Sequence, residues 1–302
     1  MIKTGRITGE HFNYLRRSDM NNPIGIFDSG IGGLTVVKEL MKLLPSENLV
    51  YFGDTARVPY GTRSVKLIRQ YALEDAAFLE QFKIKFLIIA CNTVSAIAVE
   101  LLKSSLIIPV TGVIEPVVSA ALNISKKKRI GVIGTTATIN SQAYNKQIHM
   151  LDPDVHVYGQ PCPLLVSLVE EGWIDDEITR LTIRKYLTPL LQEDVDTIIL
   201  GCTHFPVIKD LIQDEVGNEI SLIDSGKETA KLVGMMLERM EMEATGESPG
   251  KFECFVSDIP NKFDEVGTRF LGKPLINAKR VDFDNFLIEK GENIYSSLNL
   301  ND

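Results

Sequence analysis

The stretch FLIIACNTVSAIAVELLKSS, residues 86–105, combines the two patterns that decide the fold. Residues 86–91 are apolar on both alternations, which is typical of a strand buried on both faces of a parallel sheet. Residues 95–105 have the apolar spacing of an amphipathic helix, and the polar pair Asn92-Thr93 lies between the two segments. A buried strand followed at once by a helix is the repeating unit of an α/β fold.

This strand-and-helix pattern recurs along the chain. Seven other short apolar runs are predicted strands: 23–28, 48–53, 107–113, 129–134, 155–159, 197–202 and 220–224. Helical spacing of apolar residues predicts further helices at 34–44, 64–82, 141–151 and 175–191. The alternation predicts an α/β fold with doubly wound parallel sheets.

Two halves of the chain are similar to each other. GIFDSGIGGL from Gly25 is echoed by GVIGTTATI from Gly131, and IIACNT around Cys91 is echoed by ILGCTH around Cys202. We therefore predict two doubly wound parallel-sheet domains related by pseudo-two-fold symmetry, with the active site in the cleft between them. Chance similarity between two strand–turn–helix units is the alternative.

The C-terminal part is predicted to return to the first domain. After Asp224 the chain is expected to form a helix, a short strand at 251–258 and a last helix at 263–272. The predicted units are an N-terminal extension, 1–22; domain 1, 23–113 and 224–302; and domain 2, 114–223.

Composition narrows the class of protein. With 302 residues, of which 44% are hydrophobic, the chain can bury one large core or two smaller ones. Its formal charge of −8 argues against a surface for nucleic-acid phosphates, which needs clustered lysine and arginine. No apolar run is long enough to span a membrane, and the polar start does not resemble a signal peptide. We expect a cytoplasmic protein that binds neither membranes nor nucleic acid directly.

The four cysteines are spread widely, without a CxxC motif or metal-ligand spacing. We expect free thiols and no metal site. Cys162 lies between prolines, which predicts a constrained loop, and Cys254 lies within a predicted strand and is interpreted as structural. Cys91 and Cys202 differ from these, because each stands where an apolar strand gives way to polar residues.

Ligands of doubly wound folds bind outside the carboxyl ends of the strands. Short polar side chains and small residues follow the predicted strands at that edge: Asp28-Ser29-Gly30, Asp54-Thr55, Cys91-Asn92-Thr93, Thr135-Thr136, Cys202-Thr203-His204 and Asp224-Ser225. Hydroxyls, amides and backbone N–H groups of this kind suit the carboxylate and ammonium groups of an amino acid.

Two cysteines in matched positions suggest proton transfer on both faces of one carbon. A thiolate is the active base, and a helix N-terminus or a neighbouring acid–base group must activate it. His204 is a candidate partner for Cys202, and Asp28 or Asp54 for Cys91. The alternatives are small buried side chains for the cysteines and turn or N-cap roles for Asp28 and Asp54. For His204 the alternative is a residue at a helix start that is bonded only to the backbone.

Several motifs resemble those of the aspartate/glutamate racemase family, in particular its glutamate racemases. The matching stretches are PIGIFDSGIGGLTVV, YFGDTARVPYGTRS, IIACNTVSA, GVIGTTATI, CPLLVSLVEEG, ILGCTHFPVI and IDSGKETA, which together span residues 23–230. The resemblance implies two α/β domains, interconversion of L- and D-glutamate without pyridoxal phosphate, another cofactor or a metal, and a supply of D-glutamate for peptidoglycan. It also implies a homodimer.

The resemblance assigns roles to particular residues. Cys202 would take the α-proton of L-glutamate and Cys91 that of D-glutamate, assisted by His204 and Asp28. The implied substrate-binding residues are Asp28, Ser29, Tyr60, Gly61, Asn92, Thr93, Thr203 and His204. Asp54, Glu170 and Thr135 are expected behind them in supporting roles. Without the resemblance, Glu170 would be interpreted as part of a solvated helix face.

Other functions are also compatible with the sequence. An aspartate racemase or another cysteine-dependent isomerase or decarboxylase would share the motifs, and a two-lobed binding protein or a dithiol redox protein belongs to a different class. The extension before Pro23 departs from the family pattern. Some members with such extensions are activated by a peptidoglycan precursor and others bind DNA gyrase, and the sequence establishes neither here.

Overall fold

The computed structural model describes residues 20–246, 248–259, 263–275 and 277–296, the last six of these as backbone only. In these ranges the chain forms two parallel sheets of six and four strands with helices packed around them. The predicted α/β fold with parallel sheets is confirmed. Of the predicted extension 1–22, residues 1–19 lie outside the described part, and the predicted domain limits stay predictions.

The strands of the described residues are, in chain order, β1 (Ile24–Asp28), β2 (Leu49–Gly53), β3 (Phe86–Ile89), β4 (Val110–Gly112), β5 (Arg129–Gly134), β6 (His156–Pro161), β7 (Thr197–Gly201), β8 (Ser221–Asp224), β9 (Phe252–Val256) and β10 (Lys279–Arg280). The six-stranded sheet has the order β10-β9-β2-β1-β3-β4, and the four-stranded sheet has the order β6-β5-β7-β8. Every pair is parallel, so the strand ends that carry polar residues lie at one edge of each sheet.

The α-helices of the described residues are α1 (Leu34–Leu43), α2 (Val65–Glu80), α3 (Asn92–Ser105), α4 (Ile114–Ile124), α5 (Thr136–Asn140), α6 (Ala143–Leu151), α7 (Pro163–Glu170), α8 (Glu177–Gln192), α9 (Lys209–Val216), α10 (Ser225–Met240), α11 (Phe263–Leu271) and α12 (Phe283–Ser296). Short 3₁₀ helices cover Tyr60–Thr62 and Phe205–Ile208. Among the helices described, none combines the length and the apolar character of a membrane-spanning segment.

The central strands are buried on both faces, as their apolar composition predicts. In β3, Phe86 and Ile88 pack into one hydrophobic cluster, while Leu87 and Ile89 pack into another on the opposite face. Alternate side chains of a strand point to opposite sides of its sheet, so only strands with helices on both sides need apolar residues at every position.

Several predicted boundaries are wrong. β3 ends at Ile89, and α3 begins at Asn92 rather than at residue 95, so Cys91 is the N-cap of α3. The predicted last helix, 263–272, is followed by α12. Cys162 lies at the start of α7 and not in a loop, because its neighbour Pro163 is favoured at the first position of a helix.

The segment after Cys202 does not begin directly with a regular helix. Phe205–Ile208 forms a single 3₁₀ turn, and the regular helix α9 begins only at Lys209. Such a turn is common before the N-terminus of an α-helix. Cys202 therefore lacks the direct N-cap position that Cys91 has.

Candidate active site

A cavity of about 400 Å³ lies where the carboxyl ends of the two sheets face each other. Its wall contains both Cys91, from the end of β3, and Cys202, from the end of β7. The two thiols thus meet one pocket from the two sheets. Each cysteine is nearly buried, with 6% and 5% of its surface exposed.

Most residues predicted for the site lie in this wall. The structure places there Ser29, Tyr60, Gly61, Asn92, Thr93, Thr203 and His204, together with Thr135 and Glu170 from the predicted supporting group. In the described part of the chain, Asp28 and Asp54 are not wall residues. Their predicted roles therefore depend on contacts made behind the wall.

Cys91 is held as a thiol at the start of α3. Its Sγ lies 3.5 Å from the Oγ of Ser29, to which the thiol donates. Burial, followed by the nearby charge of Asp28, raises the pKa of Cys91 to about 12, although Ser29 and the N–H of Val94 act in the opposite direction. At neutral pH this half of the site therefore carries a proton.

Asp28 lies directly behind the cavity at the end of β1. Its Oδ2 accepts a hydrogen bond from the Gly30 N–H at 3.0 Å, while its fully buried Oδ1 has no hydrogen-bond partner among the described residues. Burial raises the pKa of Asp28, and the charge of His204 opposes this rise. A carboxyl whose pKa is raised in this way holds a proton more readily than an ordinary aspartate does.

Cys202, His204 and Glu170 form a chain of contacts on the other wall. The Sγ of Cys202 lies 3.7 Å from Nδ1 of His204, and Nε2 of the same ring lies 2.8 Å from Oε1 of Glu170. Burial alone would lower the pKa of His204, but the hydrogen bonds to Cys202 and Glu170 outweigh it and raise the pKa to about 10. The ring is then a cation that donates toward both neighbours.

Gly32 allows the turn after β1 to approach Thr203 and His204 closely. A Cβ atom at position 32 would lie 2.3 Å from Oγ1 of Thr203 and 2.7 Å from Nδ1 of His204. At the beginning of α1, the Thr35 hydroxyl donates to the Thr203 carbonyl at 3.0 Å. A side chain larger than hydrogen at position 32 would displace the His204 loop.

The polar wall at the start of α3 has a free donor. The Oδ1 of Asn92 accepts from the Tyr144 hydroxyl at 2.6 Å, which directs the Nδ2 donors elsewhere. This Nδ2 is buried and has no partner among the described residues. Beside it, the hydroxyls of Thr93 and Thr135 lie 3.0 Å apart and join the two halves of the cavity. A carboxylate would satisfy the orphaned amide.

A buried ionic cluster supports the loop that carries Tyr60 and Gly61. Arg57 binds three buried carboxylates: its Nε contacts Asp54 at 2.5 Å, its Nη2 contacts Asp75 at 3.0 Å, and its Nη1 contacts Glu74.

The Tyr60 hydroxyl lies within hydrogen-bond reach of both Asp54 and Asp75. Burial, followed by the charge of Asp54, raises the pKa of Asp75 well above its usual range, while the charge of Arg57 and the hydrogen bond from Tyr60 act in the opposite direction. Asp54 accepts from Tyr60 and from Ser257 at 2.9 Å, which commits both of its oxygens to the cluster.

Sequence reasoning missed the contribution of α7 to the wall. Pro163, Val166, Ser167 and Glu170 all line the cavity. Their spacing is that of one helical face, and Pro163 at a first helical position was the available signal. With this face of α7 recognised, the residues themselves, and not the family resemblance alone, would have placed Glu170 at the cavity. The wall also contains Val58, Pro59 and Thr62. They belong to a segment without an α-helix or strand, and hydrophobic periodicity predicts nothing about such a segment.

Comparison with known proteins identifies the class. The family model described as Asp/Glu/Hydantoin racemase matches residues 32–233, which is more than half of the chain. The chain belongs to this family and is an enzyme of the racemase class.

The relatives at high identity are glutamate racemases. Those of Geobacter metallireducens and Neisseria gonorrhoeae are 49% and 47% identical, each over 86% of this chain and over 97% and 96% of their own lengths. Two solved structures are similar as well. The Francisella tularensis glutamate racemase in complex with D-glutamate has a TM-score of 0.82 at 42% identity, covering 88% of this chain and 100% of its own. The Bacillus anthracis glutamate racemase isoform RacE1 has a TM-score of 0.84 at 39% identity, covering 87% and 98%.

Proposed function

We propose that this enzyme interconverts L- and D-glutamate with Cys91 and Cys202 as its two acid–base groups and without a cofactor. The observation that carries the proposal is that both thiols line one cavity and enter it from different sheets. Inversion requires a base on one face of the α-carbon and a proton donor on the other. The glutamate racemases among its relatives support glutamate as the substrate.

In the direction from L- to D-glutamate, the Cys202 thiolate removes the α-proton. The His204 imidazolium stabilises this thiolate through Nδ1, and Glu170 stabilises the imidazolium through Nε2. The bond from Cα to hydrogen breaks, the bond from hydrogen to Cys202 sulfur forms, and the electron pair stays on the substrate as a carbanion.

The Cys91 thiol then donates its proton to the opposite face of the carbanion. This step leaves Cys91 as a thiolate and Cys202 as a thiol, so the next conversion from L- to D-glutamate requires proton exchange at both sulfurs. Asp28, whose charge acts on Cys91, is the group that returns a proton to that side. The raised pKa of Cys91 makes its thiol the resting form, which suits abstraction by Cys202 first.

Hydrogen-bond donors of the wall hold the substrate. The orphaned Nδ2 of Asn92 and the hydroxyls of Ser29, Thr93 and Thr203 donate to carboxylate oxygens. Glu170 and the hydroxyl oxygens accept from the ammonium group. The described wall contains no lysine or arginine, so neutral donors and His204 must balance the substrate charge.

The wider role is part of the same proposal. It comprises a supply of D-glutamate for peptidoglycan, a cytoplasmic location and a homodimer, and it rests on the motif resemblance.

The test is incubation of the purified full chain with L-glutamate in D₂O without added cofactor. We expect D-glutamate to form with deuterium at the α-carbon, and L-aspartate to react far more slowly. Cys91→Ala and Cys202→Ala should each abolish formation of the other enantiomer, while Cys254→Ala, at a buried cysteine in β9, should keep it. Full activity in either cavity mutant, or faster turnover of aspartate, would overturn the proposal.

A further inference from the structure

Helix α11 brings a C-terminal segment to the His204 side of the cavity. The helix lies beyond residues 32–233, the part matched by the family model, and it packs against α1. Two of its consecutive residues reach this side of the cavity: Arg269 contacts the end of α7, next to Glu170, and Phe270 contacts His204. Neither of them is a wall residue of the cavity.

Phe270 packs directly on the His204 ring. The two ring centroids lie 5.0 Å apart at an interplanar angle of 83°. Phe270 is 1% exposed and His204 is 7% exposed, so the contact is sealed from water. Perpendicular ring pairs at this distance are a favoured aromatic geometry. The contact limits the rotation of the imidazole, whose two nitrogens must point at Cys202 and Glu170.

Arg269 holds the end of α7, where Glu170 is located. Its Nη1 donates to the carbonyl oxygen of Val169 at 3.1 Å, next to Glu170 in the chain. The chain then turns at Gly172, which has a φ of +85°. A Cβ atom at position 172 would lie 2.7 Å from Nη2 of Arg269. Glycine thus permits both the backbone turn and the close approach of the guanidinium.

We propose that Phe270 and Arg269 are positioning residues for the Cys202 half of the reaction: Phe270 orients the His204 ring, and Arg269 fixes the end of α7 that carries Glu170. The inference rests on the proposed function, because it concerns the same proton transfer. It adds that a helix outside the matched segment completes that half-site from behind. Neither residue contacts the substrate.

The experiment compares Phe270→Leu and Arg269→Ala with Phe263→Leu in the full chain. Phe263 is buried and lies two turns earlier in α11, so the control removes a similar ring from the same helix. We expect Phe270→Leu to lower kcat about 10-fold or more with little change in KM, since small misplacements of a catalytic group are costly. Phe263→Leu should reduce thermal stability without this loss of kcat.

A double-mutant cycle separates positioning from general stability. In the double mutant Phe270→Leu with Glu170→Gln, the fold loss of kcat should be smaller than the product of the two single losses, because both residues act through His204. The pair Phe263→Leu and Glu170→Gln should be multiplicative. Multiplicative losses of kcat for Phe270→Leu with Glu170→Gln, or a wild-type kcat in both Phe270→Leu and Arg269→Ala, would overturn the inference while leaving the racemase proposal intact.

Nitrogen NMR of the histidine side chains provides a readout independent of turnover. The chain has four histidines, so the His204 signals are assignable by mutation. Arg269→Ala should lower the measured His204 pKa as Glu170 moves away, and Phe263→Leu should leave it unchanged. An unchanged His204 titration in Arg269→Ala would contradict the positioning role. If a Phe270→Leu chain does not fold, Phe270→Met and Arg269→Lys are used in the same cycle.

Discussion

The Nε2 atom of His204 lies 2.8 Å from the Oε1 atom of Glu170, while Nδ1 of the same ring lies 3.7 Å from the Sγ atom of Cys202. This relationship links a half-exposed carboxylate to a nearly buried thiol through a single ring. The pKa of His204, which lies beside Cys202, therefore depends on a residue at the end of α7.

Glu170→Gln should lower kcat/KM about 10- to 100-fold, because it removes the anion that keeps His204 protonated. The raised pKa of His204 keeps the imidazolium present up to about pH 10 in the wild type. The variant should lose activity at lower pH on the alkaline side of the profile. The measurement is kcat/KM against pH, with the exposed neighbour Glu171→Gln as control. An unshifted alkaline limb would rule out this role.

The same pair predicts a dependence of stability on pH. The pKa of His204 is raised from 6.5 to about 10, so its stabilising contribution is complete below pH 6.5 and is lost as the pH rises toward 10. Glu170 is half-exposed, which limits the contribution of the His204–Glu170 pair to the free energy of unfolding to about 1 kcal/mol. Urea unfolding of wild type and Glu170→Gln should differ at pH 6 and converge near pH 10. A constant difference would argue for a contact independent of charge.

Gly32→Ala should reduce kcat about 10-fold or more with a small loss of stability. The added methyl group would overlap Thr203 and His204 and push the loop that carries these two residues away from the cavity. Gly234→Ala in α10 is the matched control, because its Cβ would meet only the end of the Leu44 side chain at 3.2 Å. Steady-state kinetics and thermal melts separate the two effects. Equal kinetics for both variants would show that the turn tolerates the extra carbon.

Arg57→Met should destabilise the protein by about 3–5 kcal/mol, because Asp54, Glu74 and Asp75 would lose their shared cation while buried. The surviving activity should show a higher KM, since Tyr60 is bonded to two of these carboxylates and lines the cavity. Arg63→Met, at an exposed site nearby, is the control. Urea unfolding at pH 7 provides the measurement, and a loss below about 1 kcal/mol would contradict a structural role for the cluster.

Local sequence patterns were sufficient for the sheets and for the cysteines. Residues 130–134 of β5 are apolar at every position, a pattern that only a doubly covered sheet requires. Cys91 and Cys202 each follow such a strand, and polar residues after strand ends converge in parallel sheets. The wall positions of Asn92, Thr93, Thr203 and His204 follow from the same reasoning.

Local sequence patterns did not predict the contacts between residues that are distant in sequence. The expected partnership of Asp54 with Cys91 is one example, because Arg57, Tyr60 and Ser257 occupy its two oxygens. The pairing of Glu170 with His204 is another, since the two residues come from different elements that meet only after the chain folds.

By itself the sequence determined the repeating strand-and-helix order, the burial of the strands and the edge at which the cysteines lie, because these depend on the periodicity of neighbouring side chains. The tertiary structure decided which side chains meet around each cysteine, and it placed Phe270 against His204 and Arg269 against the end of α7. Hydrogen bonds and ring contacts form between atoms within a few ångströms of each other, and such distances between remote segments are set by the packing of the whole chain.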